Sequence, residues 1–306
     1  MTHSRAVVLM IFVTLLWSLA GVVTRHLDAA RSFEVTFWRS AFNALGLAVA
    51  LSYLRGPALW RELPRSPRVV WVSGVCWAIM FTGFMMALTL TSVANVLVMM
   101  ALAPLMTALF ARFFLHHTLP HRTWMAIAVG GFGIAWMFAH DAGAGVSLLG
   151  ILVALTVPLA AAVNFTTLQH VGHGSGDPDR ADGLPTHDML PAVLIGAIIS
   201  AAVTLPLAWP LRASAHDVRL LGFLGVVQLA LPCLLVVRLS RVLPAPEIAL
   251  LGLLEVIFGV TWAWLGAGER PPANTLVGGA LVLGALVINE LLTLKQQRAA
   301  AASATV

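Results

Sequence analysis

An acid and an arginine stand where charge is least expected. Glu255 interrupts the apolar stretch Pro246–Leu265, and Arg39 interrupts Phe33–Leu54. A charge at the centre of a bilayer costs roughly 2.5–3.5 kcal/mol on insertion scales, so such a carboxylate faces a cavity, finds a partner or stays protonated. Glu255 therefore reads either as a site for a substrate ammonium or a proton, or as a neutral carboxyl bonded to a neighbouring helix backbone. Arg39 lies about 9 Å along its stretch at helical rise. It either snorkels to the interface, or pairs with an acid or meets a substrate carboxylate; Glu34 is the nearest acid in its own stretch. Asn43, Asn95, Asn164 and Gln228 add amides in or near other apolar stretches. Each can bond a substrate, or tie two helices together for about 0.6 kcal/mol. Pro104, Pro158 and Pro232 free backbone carbonyls there, which suits a hinge, a gate or simple membrane-helix packing.

The aromatic residues divide by position. Trp60, Trp71, Trp124 and Trp209 sit near the ends of apolar stretches and read as interface anchors. Trp17, Trp77, Phe81, Met99 and Trp262 lie deeper. Lining a cavity they suit an apolar or aromatic substrate side chain; facing lipid they are ordinary. Other chemistry fails on spacing. His170-x-x-His173 lacks further ligands, Gly174-Ser-Gly176 is not a nucleophile elbow, and neither a Walker loop nor GxGxxG occurs. No metal or other cofactor is expected. An enzyme needs converging polar groups, and only Glu255 is well placed for that.

The elements that hold these residues follow from composition. Of the 306 residues 59% are apolar and 10% charged, where a soluble domain carries about 25% charged residues. The basic residues are scattered, which excludes a nucleic-acid surface despite the pI near 10.5. Cys76 and Cys233 lie in apolar runs, so no disulfide framework is implied. A spanning helix needs roughly 20 apolar residues. Ala6–Thr24, Phe33–Leu54, Thr123–Ala139, Ser147–Gln169, Met189–Trp209, Leu220–Val237, Pro246–Leu265 and Ala273–Leu294 each fit. The uncharged run Val69–Ala111 would be about 64 Å long as one helix, so it folds as a hairpin turning at Thr89–Ser92. The sum is an all-α integral membrane protein of ten transmembrane helices. Ala6–Thr24 is longer than the core of a signal peptide and reads as a retained span, although Ser18-Leu-Ala20 resembles a cleavage site. Residues 171–188 read as a flexible cytoplasmic loop, and the AAAASATV end as a disordered tail.

With the N-terminus inside, cytoplasmic segments hold 12 Lys or Arg against 5 outside, which places both termini in the cytoplasm. The two halves, 6–139 and 147–294, also look alike: Gly74–Ala94 aligns with Gly225–Ala245, and His117-Thr-Leu-Pro120 with Glu269-Arg-Pro-Pro272. Gly130, Gly131 and Gly133 face Gly278, Gly279 and Gly284 in that alignment. Five spans per half turn the second upside down, the inverted repeat of transporters.

Leu16-Trp17, Thr36-Phe-Trp-Arg39, Ala101-Leu-Ala-Pro104-Leu, Leu254-Glu255-Val256 and Gly268-Glu269-Arg270-Pro271, in that order, resemble the drug/metabolite transporter superfamily. Within it the chain resembles the ten-helix amino-acid exporters of the EamA-like branch. Val256 stands where that family usually has proline, and His117 where it often has an acid. The resemblance implies helices 1–4 and 6–9 around a central cavity, with helices 5 and 10 aside and packed through their glycines. It implies export of amino acids, aromatic or apolar ones among them, by alternating access across a bacterial-type inner membrane, as monomer or homodimer. Carriage of other metabolites, drugs, nucleobases or lipids is the alternative.

Overall fold

The computed structural model describes residues 3–114, 120–141, 147–173, 189–239, 242–243, 248 and 251–303. All regular structure among them is helical. In chain order the helices are α1 (His3–Thr24), α2 (Ser32–Arg55), short α3 (Ala58–Glu62), α4 (Arg68–Leu90), α5 (Val93–Met100), α6 (Ala103–Phe114) and α7 (His121–Asp141). There follow α8 (Leu148–His173), α9 (Leu190–Ala208), α10 (Ala215–Phe223), a π-helix (Leu224–Ala230), α11 (Leu231–Leu239), α12 (Leu254–Ala267) and α13 (Ala273–Ser303). Six stretches are long and apolar enough to cross a membrane by length and composition: 3–24, 68–90, 93–110, 190–208, 215–236 and 273–296. Backbone groups in hydrocarbon must be satisfied within the segment. An apolar chain of this kind therefore folds as a multi-pass helical membrane protein.

The turn expected at 89–92 is there. Ser92 caps α5 by accepting the Asn95 backbone N–H, so the uncharged run doubles back. Two expectations change. The terminal alanines continue α13 as far as Ser303, in keeping with alanine's helix preference. The chain at 171–173 still belongs to α8, and the rest of the loop expected at 171–188 lies outside the described residues.

Helix pairs close through small residues. A Cβ on Gly133 of α7 would lie 2.7 Å from the Gly278 carbonyl of α13, and one on Gly196 of α9 2.4 Å from Trp77 Cβ of α4. Gly131 and Gly284 meet nothing within 4 Å, so only part of the glycine-rich faces is a contact. Buried polar groups add cross-links: Ser40 of α2 and Thr82 of α4 both bond Ser200 of α9, at 2.8 and 2.9 Å.

One end of the bundle is stitched shut. Asp217, at the start of α10, accepts the backbone N–H groups of Asp28, Ala29, Ala30 and Ser214. Glu34 accepts those of Arg212 and Ala213. Arg25 donates to Leu88 O, Thr91 O and Glu269 Oε2, and the other Glu269 oxygen accepts from Val93 N. Gly268, at φ +67°, ends α12 in the left-handed turn that swings Glu269 into this network. The turns after α1, α4, α9 and α12 thus share one end.

Candidate functional site

The site begins with Arg39. Its side chain is 2% exposed, so it does not snorkel to an interface; α2 turns it inward among packed helices. Nε and Nη2 both donate to Gln228 Oε1, at 3.3 and 3.0 Å. The guanidinium carbon sits 5.5 Å from the centre of the Phe84 ring, a cation–π contact. Glu34, the acid nearest in sequence, is committed to the Arg212–Ala213 turn instead.

Gln228 is held in turn. Its Nε2 donates to Trp17 O at 2.9 Å, so α1, α2 and the π-helix meet through one amide. Such π segments are frequent at functional sites. This one precedes Pro232, which has no N–H to continue the α-helical pattern. Gly225 lets it approach α2: a Cβ there would lie 2.6 Å from Arg39 O and 2.8 Å from Asn43 N.

Leu253, just before Glu255, is an irregular position between the helical residues 251–252 and α12, but its backbone stays right-handed helical (φ −63°, ψ −20°). Glu255 follows in the first turn of α12. It is half-buried and interacts electrostatically with Arg39. Arg25–Glu269 and His216–Asp28 are ion pairs; Arg39 and Glu255 are not joined at that range. A turn of the same kind lies at Ala101–Leu102, between α5 and α6 and just before Pro104, within the single span-length stretch 93–110. The two irregular positions lie on neighbouring helices, since a Cβ on Gly259 of α12 would meet Leu97 of α5.

The other candidates fall into three groups. Trp262 reaches α1, its Nε1 donating to Ser18 Oγ at 3.1 Å, and Trp17 packs beside the α1–α11 apolar cluster. Asn95 and Asn164 join helices: Asn95 accepts from Thr275 and Asn164 from Ser73. Trp77, Phe81 and Met99 pack into apolar clusters, with Trp77 and Phe81 rings 5.4 Å apart. Pro158 stands inside α8. Sequence reasoning missed Ser18, Phe84, Gly225 and the acid Asp217. Only Asp217 had a usable signal, the Ser214-x-x-Asp217 capping pattern.

A cavity of about 280 Å³ elsewhere is lined by Arg55, Glu62, Arg65 and Pro191 among others. It lies about 24 Å along α2 from Arg39 at helical rise, beside the surface turns.

Residues 4–139 and 148–290 match the EamA-like transporter family. The chain is an EamA-like transporter. It belongs to the drug/metabolite transporter superfamily, whose EamA-like members are membrane carriers rather than enzymes. The transporter is 24% identical over 260 residues to the pseudopaline exporter of Pseudomonas aeruginosa, strain UCBPP-PA14, spanning 83% of this chain and 84% of that one. The same exporter from strain PAO1 matches equally. A protein of known crystal structure shares the fold, with a TM-score of 0.63 at 19% identity over 96% of this chain and 99% of that chain.

Proposed function

We propose that this transporter exports a small, amino-bearing metabolite by alternating access between two inverted five-helix halves, 6–139 and 147–294. The observation that carries the reading is the pair of ionisable side chains, Arg39 and Glu255, set on different helices, near enough to interact electrostatically and not in an ion pair with each other. A polar substrate entering between them satisfies both. Glu255, half-buried in the first turn of α12, takes the ammonium group or a proton. The deep aromatic residues, Trp17 and Trp262 first, take the rest of the molecule.

The family match in two stretches supports the two-half reading. So does the gathering of four turns at one end, which ten alternating spans require. The arginine and lysine distribution supports that end being outside and both termini cytoplasmic. Kinship with a pseudopaline exporter favours metabolites other than free amino acids, which remain one candidate class.

Proteoliposomes loaded with radiolabelled amino acids and larger amino-carboxylate metabolites test the reading, with and without a pH gradient. Glu255→Gln is expected to cut flux at least tenfold, since a charge-assisted bond contributes about 1.5–3 kcal/mol. Flux that survives Glu255→Gln unchanged would instead support a carrier of apolar drugs, nucleobases or lipids. A rate independent of the gradient removes the proton from the role of Glu255.

A further inference from the structure

We propose that Arg39 and Asn43 form a carboxylate-binding pole, which restricts the cargo to molecules that carry a carboxylate as well as an amine. The proposal rests on the export reading and names its substrate class. Arg39 and Asn43 are four residues apart on α2 and so share one face of the helix. Both are buried, at 2% and 0% exposure.

Their hydrogen bonding is incomplete in one particular way. The guanidinium fork formed by Nε and Nη2 has the shape that receives the two oxygens of a carboxylate. Here both nitrogens converge on one neutral oxygen, Gln228 Oε1. Nη1 has no hydrogen-bond partner, and neither Nδ2 nor Oδ1 of Asn43 has one. Phe84 faces the cation, but its ring supplies no acceptor in line with those N–H groups. Buried polar groups are nearly always paired, and an unpaired group calls for an explanation. A guanidinium N–H and an amide N–H₂ left without acceptors one helical turn apart are explained by an anion that arrives with the cargo, and the unpaired Asn43 Oδ1 by a water or N–H donor that comes with it.

The surroundings hold this face ready. Gly225 brings the π-helix against α2 between Arg39 and Asn43, where a Cβ would meet Arg39 O and Asn43 N below 3 Å. That contact seats Gln228 on the fork, and Trp17 O fixes the far end of Gln228. The free Nη1 and the Asn43 amide are then the donors left for a ligand. At helical rise, Arg39 lies about 10 Å from the stitched end of α2, and Glu255 about 18 Å from the corresponding end of α12. The cargo therefore sits with its carboxylate toward the stitched end and its amine deeper. Both polar atoms are enclosed in this conformation, so the carboxylate enters as the halves part.

Matched ligands test the pole on the purified full-length transporter, with intrinsic tryptophan fluorescence reporting binding. The probes are phenylalanine, phenylalaninamide and phenethylamine, and leucine, leucinamide and isoamylamine. Each acid is expected to bind at least tenfold more tightly than its amide and its amine. Asn43→Ala and Arg39→Lys should each reduce acid affinity roughly tenfold or more while leaving the amide and amine within about twofold, as expected for loss of one charge-assisted bond. Asn43→Asp keeps the volume of the side chain and should abolish acid binding by charge repulsion. If acids, amides and amines bind alike, or if Asn43→Ala weakens all three equally, the pole is wrong and the export reading stands. If neither these probes nor larger amino-carboxylate metabolites bind, and proteoliposomes move none of them, both readings fall.

Discussion

Replacing Gly225 by alanine should loosen the whole site through one methyl group. The added Cβ would lie 2.5 Å from Phe42 Cβ, 2.6 Å from Arg39 O and 2.8 Å from Asn43 N, where ordinary contact begins at 3.4 Å. None of these neighbours can rotate away, since two are backbone atoms and a Cβ is fixed by its own backbone, so the π-helix must retreat by about 0.9 Å to reach ordinary contact. Overpacking of this sort costs about 1–3 kcal/mol, and the rigid neighbours put Gly225→Ala near the upper end. Alanine's helix preference over glycine offsets about 1 kcal/mol, leaving a net loss of about 2 kcal/mol. At about 2–4 °C per kcal/mol for chains somewhat smaller than this, the apparent Tm in detergent should fall by about 4–8 °C at a fixed scan rate. Gln228, three residues on, now 3.0 and 3.3 Å from Arg39, moves out of hydrogen-bond reach. Substrate affinity should fall with it. Gly131→Ala is the control, because nothing lies within 4 Å of its Cβ position; it should be neutral or slightly stabilising. A Gly225→Ala protein with the melting point and affinity of the wild type would refute the argument that this close approach seats Arg39.

Two further perturbations address the stitched end. Asp217→Asn keeps the shape but leaves one acceptor and an unwanted N–H₂ among four backbone donors, those of Asp28, Ala29, Ala30 and Ser214. Losing charge-assisted bonds worth about 1.5–3 kcal/mol each should lower the Tm by several degrees, and a shift under one degree would contradict it. Glu269→Ala removes both the Arg25 ion pair and the acceptor of Val93 N. Hydrogen exchange over residues 91–95 should then speed up markedly, with only a small change in Tm because partly exposed pairs contribute about 0.2–1 kcal/mol. Exchange that stays slow would show that this carboxylate does not hold the end closed.

The sequence read the turn at 89–92 correctly because polarity there is local: Thr89, Thr91 and Ser92 interrupt an apolar run, and Ser92 caps the next helix. It found Arg39 and Glu255 for the same reason, since a charge among apolar neighbours is visible residue by residue. It left Arg39 with two fates, and packing removed one by burying it against Gln228 and Phe84. Neither partner is near in the chain: Gln228 lies 189 residues away. Asn95, Asn164 and Gln228 looked alike as sequence. Tertiary contacts made the first two cross-links between helices and gave the third to Arg39. For Trp77, Phe81 and Trp262 the sequence left a cavity-facing and a lipid-facing reading open; in the structure Trp77 and Phe81 belong to an apolar cluster that includes residues of α9, and Trp262 reaches Ser18 of α1. Depth is a property of hydropathy, whereas the direction a side chain faces depends on which helix comes next to it.

By itself, then, the sequence determined that this is a helical membrane protein with ionisable residues at positions 39 and 255 inside apolar stretches. Apolar length and charge frequency decide whether a segment enters a bilayer, and both are sums over neighbouring residues. Only the tertiary structure decided the rest: the π-helix at 224–230, the unpaired Nη1 of Arg39 and amide of Asn43, and the backbone donors that the acids gather at one end. Each depends on how closely two backbones approach and on donors supplied by distant segments. Those are matters of three-dimensional packing, which no local pattern encodes.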